Sequence, residues 1–203
     1  VAAPLPVANL SASFVFRSIE ISCPTILIDE ADTFLRENSE LKGIINAGHT
    51  RANAYVGRTE SNGNGVFTPK LFSVWCAKAM AGIGIEKHLP AATISRAIMI
   101  TLRRKMAHEK VSRLRHADRS AFEPLATKLA KFAESYAERI RTARPDLPDA
   151  LSDRAQDNWE PLLAIAECAG PEWFARATAA ALKLSKSEDD AVSTGNELLA
   201  DIQ

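Results

Sequence analysis

The pattern of apolar and polar residues divides the chain into two halves. In the first half, short apolar runs alternate with stretches of helical periodicity. Residues 25–28 (TILI) form a continuous apolar or β-prone run and do not alternate between apolar and polar residues, which is typical of a buried parallel strand. Residues 5–8 predict another strand, and a helix capped by Ser11 or Ser13 is predicted between the two. A helical region follows over residues 31–47.

Two further features complete the first half. β-prone runs flank the turn-forming sequence SNGNG at residues 61–65, which predicts a β-hairpin. Residues 97–104 (AIMITLRR) form another β-prone run, and we expect it to be a strand. The alternation of strands and helices indicates an α/β fold with a parallel sheet.

Beyond this run the strand signals disappear. Residues 121–143 are rich in Ala, Leu, Lys and Glu, with apolar positions at helical spacing. A Pro-rich break at 144–149 precedes a helix that is predicted to end at Gly170, and two more helices are expected after it. We therefore expect an α/β core over residues 1–104 and an all-helical domain over 105–203.

Composition narrows the class of protein. The chain has 203 residues, with 25 basic and 25 acidic side chains, so the whole chain is not an evident polyanion binder. Its three cysteines show no metal-ligand spacing, which favours reduced thiols and a cytoplasmic location. No apolar run approaches the roughly 20 residues of a membrane span, and we expect no membrane partner.

The strongest chemical signal is the pair Asp29–Glu30 directly after the predicted strand. In phosphate-loop ATPases a strand-end Asp holds Mg²⁺ and the following Glu orients the attacking water. The phosphate loop itself, GxxxxGK[ST], is absent from the sequence. We therefore expect a fragment that begins after the phosphate-loop helix. The competing interpretation is that both acids only favour the N-terminus of a helix.

Several segments together resemble a domain, formerly of unknown function, at the end of primase–helicase proteins of plasmids, phages and genomic islands. That domain is similar to the AAA+ and superfamily-three helicase ATPases. The resemblance implies a partial P-loop NTPase sheet with an inserted hairpin and a helical lid. It also implies Mg²⁺ and ATP as cofactors in the full-length protein, DNA or RNA as partner, and a homo-oligomer. The segments that carry it are residues 24–59, 72–84, 89–105 and 147–173.

The resemblance also implies roles for individual residues. Arg96 occupies the place of an arginine that completes a neighbouring subunit's site. Lys78 or Cys76 is nearest to the position of a polar sensor at a strand end, with Ser73 a weaker choice. Arg154, at the start of a helix of the lid, corresponds to a second sensor. Each has a structural alternative, such as helix capping or pairing with a neighbouring acid.

Candidate nucleic-acid contacts lie in three places. One is the family's motif around residues 46–51, and another is the tip of the predicted hairpin. The third is the segment 103–119, in which Lys and Arg clearly outnumber the acids. Turn formation and a solvated helix face are the structural alternatives. The residues concerned are His49, Arg51, Asn62, Asn64, Arg113 and Arg115.

Three functions therefore remain open. The leading one is an ATP-dependent motor fragment from a mobile-element primase–helicase, inactive by itself. The second is a noncatalytic interaction module that keeps the fold without the phosphate loop. The third is a metal-dependent nuclease that uses Asp29, Glu30 and Asp32, with Glu37 and His49 as further ligands.

Overall fold

The computed structural model describes residues 4–8, 10–61, 63, 65–116, 118, 120 and 122–200, with the backbone only for 116 and 186–200. The chain divides into two compact units, residues 2–96 and residues 97–203. The division falls a few residues before position 104, where the sequence pattern changes. Each unit is described by itself below.

The first unit contains all the strands of the described chain. Short 3₁₀ turns occur at Arg51–Asn53 and Ile85–Lys87. In chain order its strands and α-helices are β1 (Pro4–Val7), α1 (Ala12–Ser22), β2 (Thr25–Ile28), α2 (Ala31–Leu35), α3 (Ser39–Ala47), β3 (Tyr55–Ser61), β4 (Phe67–Ser73), β5 (Lys78–Met80) and α4 (Ala91–Ile94).

A three-stranded parallel sheet organises the first unit. The strand order is β1–β2–β5, so β2 is the central strand. Val7 pairs with Ile28 in one direction, and Ile28 pairs with Met80 in the other. Ile26 and Ile28 are buried against the helices. The α/β class and the parallel strand at 25–28 are thereby confirmed.

The predicted hairpin is also confirmed. β3 and β4 form a separate two-stranded antiparallel sheet, in which Tyr55 pairs with Ser73 and Ser61 with Phe67. One face of this hairpin packs on α1, where the rings of Phe16 and Phe72 lie 4.7 Å apart. The hairpin is therefore part of the core of this unit.

Local capping signals set the helix boundaries. Ser11 caps α1, because its Oγ accepts from the Phe14 N–H at 3.2 Å, as the sequence predicts. The helical region expected over 31–47 is broken into α2 and α3. Asn38 starts the second of these by accepting from the Leu41 N–H at 2.9 Å.

The prediction of a strand at residues 97–104 is wrong. These residues, all of which the structure describes, belong to no helix or strand, and Ile100 and Leu102 are 69% and 87% exposed. A β-prone sequence becomes a strand only when a neighbouring strand accepts its backbone hydrogen bonds. In the described chain the parallel sheet contains β1, β2 and β5, and 97–104 pairs with none of them.

The second unit is helical, as expected, apart from its irregular first segment. It contains a 3₁₀ turn (Leu114–His116), α5 (Phe122–Thr142), α6 (Asp153–Ala169) and α7 (Pro171–Ala200). Trp159 and Leu163 of α6 form its core with Ala181 of α7. The expectation of two helices after Gly170 is wrong, because α7 runs unbroken.

Among the residues that the structure describes, no helix combines the length and apolar character needed to cross a membrane.

Candidate functional site

Asp29 and Glu30 lie at the carboxyl end of the central strand β2, as predicted, and both are exposed. The neighbouring strands hold this end in place. The Asp29 N–H donates to the Val7 carbonyl of β1 at 3.2 Å, and the Ala81 N–H donates to Ile28 at 2.8 Å. Ligands of open α/β sheets bind at this edge. The position is therefore the one that a nucleotide site requires.

Glu30 has a left-handed backbone, with φ 51° and ψ 37°. Its N–H donates to Oδ1 of Asp29 at 2.9 Å, which orients that carboxylate. A non-glycine residue in this region carries a steric cost of roughly 1–2 kcal/mol. Such strain is found most often where a side chain is used for function. No local pattern around Glu30 predicts this conformation.

Asp32, three residues beyond Asp29, has a structural role in this arrangement. Its Oδ1 accepts from the Ile83 N–H at 3.0 Å and so fixes the loop that follows β5. Space is tight here, since a Cβ on Gly82 would stand 2.6 Å from the same oxygen. Asp32 therefore anchors the loop beside the carboxylate pair, and one oxygen of its carboxylate is already engaged.

An open groove of about 630 Å³ adjoins Asp29. Its floor is one face of the parallel sheet, where Pro6, Leu27 and Ala79 are directly paired across the three strands. Leu27 is 37% exposed, whereas its neighbours Ile26 and Ile28 are buried on the opposite face. Parallel sheets normally have both faces covered. This sheet has one apolar face open beside the candidate site.

The residues present fit a magnesium ion better than they fit a triphosphate. An exposed, oriented carboxylate such as Asp29 is a typical Mg²⁺ ligand, with the remaining ligands supplied by phosphates and water. Lysine and arginine are absent from the described lining of the groove, so it offers no cation for phosphate oxygens. The groove lining is Pro6, Val7, Ala8, Leu27, Ile28, Asp29, Ala79, Met80 and Ala81.

The nuclease hypothesis finds no support in this geometry. Within the described parts of the chain, no group of three or more His, Cys, Asp and Glu side chains is arranged to hold a metal ion. The proposed ligands Glu37 and His49 are therefore not brought together with the Asp29–Glu30 pair.

Lys78 lies at the start of β5, not at its end, where the resemblance places a sensor. Its Nζ donates to three carbonyls, those of Gly48 and Cys76 at 3.1 Å and that of Val74 at 3.4 Å. Burial lowers the pKa of this ammonium, with the neighbouring Cys76 acting in the opposite direction. These contacts favour a structural role, and the sensor role stays a prediction.

Arg96 is half-buried at the end of the first unit. Its Nη1 donates to Oδ1 of Asn46 at 3.0 Å, and the Thr93 hydroxyl donates to the same oxygen at 3.3 Å. Sequence reasoning missed Asn46 and Thr93 as partners, because the contact joins residues about fifty positions apart. The asparagine fixes the direction of the arginine at the end of the first unit.

The predicted nucleic-acid residues of the first unit lie near α3. Arg51 stacks on Trp75, with Cζ 4.9 Å from the ring centroid, and His49 is exposed. Asn62 and Asn64 at the hairpin tip lie outside the described residues.

In the second unit Arg154 is exposed in the first turn of α6. Arg113 and Arg115 are exposed as well. Glu109 pairs with two cations of the basic segment. Its Oε2 accepts from Nη1 of Arg103 at 2.8 Å, and its backbone carbonyl accepts from Nζ of Lys105 at 3.1 Å. The exposed cations beyond it are therefore the better candidates for contact with a polyanion.

Fold and site together define an α/β unit with an acidic strand end, followed by a helical unit. A family model described as "Protein of unknown function (DUF3631)" matches residues 101–203, just over half of the chain. The chain belongs to this family. The matched region covers the helical unit, so the carboxylate pair lies outside it.

A curated relative is similar to part of the chain. It is an uncharacterised 28.9 kDa protein in the xis 5′ region of Saccharopolyspora erythraea, 38% identical over 103 residues. The match covers 49% of this chain and 38% of the relative, so the chain spans well under half of that protein's length. No solved structure matches the chain.

Proposed function

We propose that this chain is part of an ATP-dependent motor of a mobile-element primase–helicase. The observation that carries the proposal is the Asp29–Glu30 pair at the carboxyl end of the central parallel strand. In this function Asp29 holds Mg²⁺ of a bound nucleotide and Glu30 orients the attacking water. The hydrogen bond from the Glu30 backbone N–H orients the Asp29 carboxylate at this edge.

The strain at Glu30 supports a catalytic use of that side chain. A glycine would adopt φ 51° at no steric cost. A glutamate at the same place keeps a carboxylate at the sheet edge but lowers the stability of the fold. A catalytic role on water beside a phosphate would explain why glutamate stands at this position. The described contacts of the sheet give the Glu30 carboxylate no other role.

The groove beside Asp29 supplies the space for the remaining parts of such a site. Phosphoryl transfer depends mainly on positioning and charge neutralisation, which a glycine-rich loop and its lysine provide. In our proposal a segment outside these 203 residues supplies them and covers the open sheet face at Leu27. Isolated from that segment, the chain binds nucleotide weakly and does not hydrolyse it.

Three further observations agree with a motor from a mobile element. The curated relative is named for its place in an xis 5′ region. Arg96, directed by Asn46, is a fixed guanidinium suited to complete the site of a second subunit in a homo-oligomer. The exposed cations Arg113 and Arg115 would contact DNA or RNA nonspecifically.

The test uses the longer protein that the proposal implies, with Mg²⁺-dependent ATP hydrolysis as readout. We expect Glu30→Gln to lower turnover by about 10²–10⁴-fold while nucleotide binding persists. Glu37→Gln is the matched control, because Glu37 is equally exposed but lies away from the strand end. Equal turnover of Glu30→Gln and wild type would refute the proposal. Strong hydrolysis by the 203 residues alone would refute the external phosphate loop.

The open sheet face favours a second candidate, a noncatalytic interaction module. An uncovered apolar row at Pro6, Leu27 and Ala79 suits a protein partner whether or not a nucleotide is bound. If the longer protein lacks ATP hydrolysis but loses a partner on Leu27→Asp, this function is the correct one.

A further inference from the structure

The two cysteines of the first unit lie close together at the amino ends of neighbouring strands. Cys23 follows α1 and leads into β2, and Cys76 leads into β5. Ile26 pairs with Lys78 in the parallel register, and continuing it by two residues places Pro24 opposite Cys76. Cys23 is therefore offset from Cys76 by one residue, or about 3.3 Å, along the strand direction. Neighbouring strands are about 4.8 Å apart. The diagonal Cα separation is then about 6 Å. A disulfide requires a Cα separation of about 4.4–6.8 Å, so the backbone spacing suits one.

A direct contact supports this placement. The Cys23 thiol donates to the carbonyl of Trp75 at 3.3 Å. That carbonyl belongs to the peptide that joins Trp75 to Cys76. The sulfur of Cys23 is therefore held at the peptide of the second cysteine, although the two residues are 53 positions apart in sequence.

Cys23 occupies a strained position. Its φ of 43° and ψ of 55° are left-handed, at a helix end where glycine is the usual residue. Among the described residues Glu30 is the other non-glycine with positive φ. As at Glu30, a reactive side chain is kept where glycine would cost less, which points to a use for the thiol.

The two thiols have complementary surroundings. Cys23 is exposed and meets dissolved oxidants, whereas Cys76 is 7% exposed. Burial raises the pKa of the Cys76 thiol, and the adjacent Lys78 ammonium opposes that rise. The positive charge of Lys78 acts on both sulfurs.

We propose that Cys23 and Cys76 form a disulfide when the protein meets hydrogen peroxide. The Cys23 thiolate attacks one peroxide oxygen, the O–O bond breaks, and water leaves once the departing hydroxide is protonated. The Cys76 thiolate then attacks the resulting sulfenic acid, the S–O bond breaks, and a second water leaves. Two thiols and one peroxide give one disulfide and two waters, with two electrons passing from sulfur to oxygen.

This bond links the amino ends of β2 and β5, opposite the edge that carries Asp29. It does not depend on the nucleotide proposal, since no residue of the carboxylate pair takes part. The modification site is the thiol pair itself, with the Lys78 ammonium beside it.

The test is peptide mapping of the reduced wild-type protein after peroxide treatment. The thiols that remain free after this treatment are alkylated before digestion, and no reductant is added. We expect one intramolecular cross-linked peptide pair, Cys23 with Cys76, lighter than the separate peptides by two hydrogen atoms. Cys23→Ser and Cys76→Ser should abolish it. Cys168→Ser is the matched control and should retain it, because Cys168 is buried in α6 of the other unit.

The mapping on wild type does not require the buried variant Cys76→Ser to fold. Oxygen added at Cys23 without a cross-link would overturn the proposal. So would a cross-link that joins two molecules, or one that includes Cys168.

Discussion

Gly48 leaves the space that the Val74 carbonyl and the Lys78 ammonium occupy near the amino end of β5. Replacing Gly48 by alanine tests that packing. Its φ of −79° is open to any residue, so the glycine is needed for space and not for conformation. An added Cβ would stand 2.2 Å from the Val74 carbonyl and 2.5 Å from Nζ of Lys78. The Val74 backbone cannot retreat easily, because its side chain is fully buried and its N–H donates to Ala54 at 2.8 Å.

The size of the effect follows from two losses. Forcing an extra carbon into a packed site costs about 1–3 kcal/mol. Displacing the Lys78 ammonium from its carbonyls removes charge-assisted hydrogen bonds worth about 1.5–3 kcal/mol. Gly48→Ala should therefore lower the free energy of unfolding by about 2.5–6 kcal/mol, a large share of the stability of a small domain. For a unit of this size, the melting temperature should fall by at least about 10 °C.

Gly43→Ala is the matched control on the same helix. Nothing lies within 4 Å of a Cβ at Gly43, so alanine should stabilise α3, by about 0.5–1 kcal/mol. Urea and thermal unfolding of both variants should move in opposite directions from wild type. In a Lys78→Met background, Gly48→Ala should cost less, since the backbone clash with Val74 remains but the ammonium is gone. If Gly48→Ala unfolds within about 0.5 kcal/mol of wild type, the described packing is wrong.

Three further predictions concern Lys78, Arg96 and the basic segment. The pKa of Lys78 lies below its ordinary value of 10.5 in the folded state. The unfolded chain therefore binds more protons, and the free energy of unfolding rises with pH until pH reaches 10.5. Lys78→Met should lack this rise in urea titrations, and a pH profile identical to that of wild type would contradict the prediction. Arg96→Ala in the longer protein should reduce ATP turnover by about 10³-fold, and Asn46→Ala by less; unchanged turnover of both would assign them to packing. Replacing Arg113 and Arg115 by Gln should reduce the log–log salt slope of nucleic-acid binding by about 1.4–1.8, whereas an unaltered slope would exclude them.

The parts of the fold that could be predicted from sequence are those fixed by local chemistry. The continuous apolar run before Asp29 defines β2, and Ser11 marks the start of α1 within one residue. The glycine-rich turn predicts the hairpin because few residues tolerate its backbone angles. Each of these signals lies within a few residues of the element that it predicts.

The parts that failed depend on contacts distant in sequence. Residues 97–104 have the composition of a strand but require a partner strand, which no local pattern supplies. The bond between Arg96 and Asn46 and the approach of Cys23 to Trp75 arise only when the sheet has formed. The carboxylate pair was located correctly since its strand is local, whereas the left-handed backbone of Glu30 depends on how the chain turns from β2 into α2.

The backbone of Glu30 offers a test that separates stability from use. Glycine adopts φ 51° without strain, whereas alanine keeps the steric cost of about 1–2 kcal/mol and glycine loses about 0.4–1 kcal/mol through a more flexible unfolded chain. Glu30→Gly should therefore be more stable than Glu30→Ala by up to about 1.5 kcal/mol in urea unfolding. Both variants should lack ATP turnover in the longer protein, because neither has a carboxylate to orient water. A Glu30→Gly variant that is less stable than Glu30→Ala would show that the strain is not there, and full turnover in either variant would show that the carboxylate is not used.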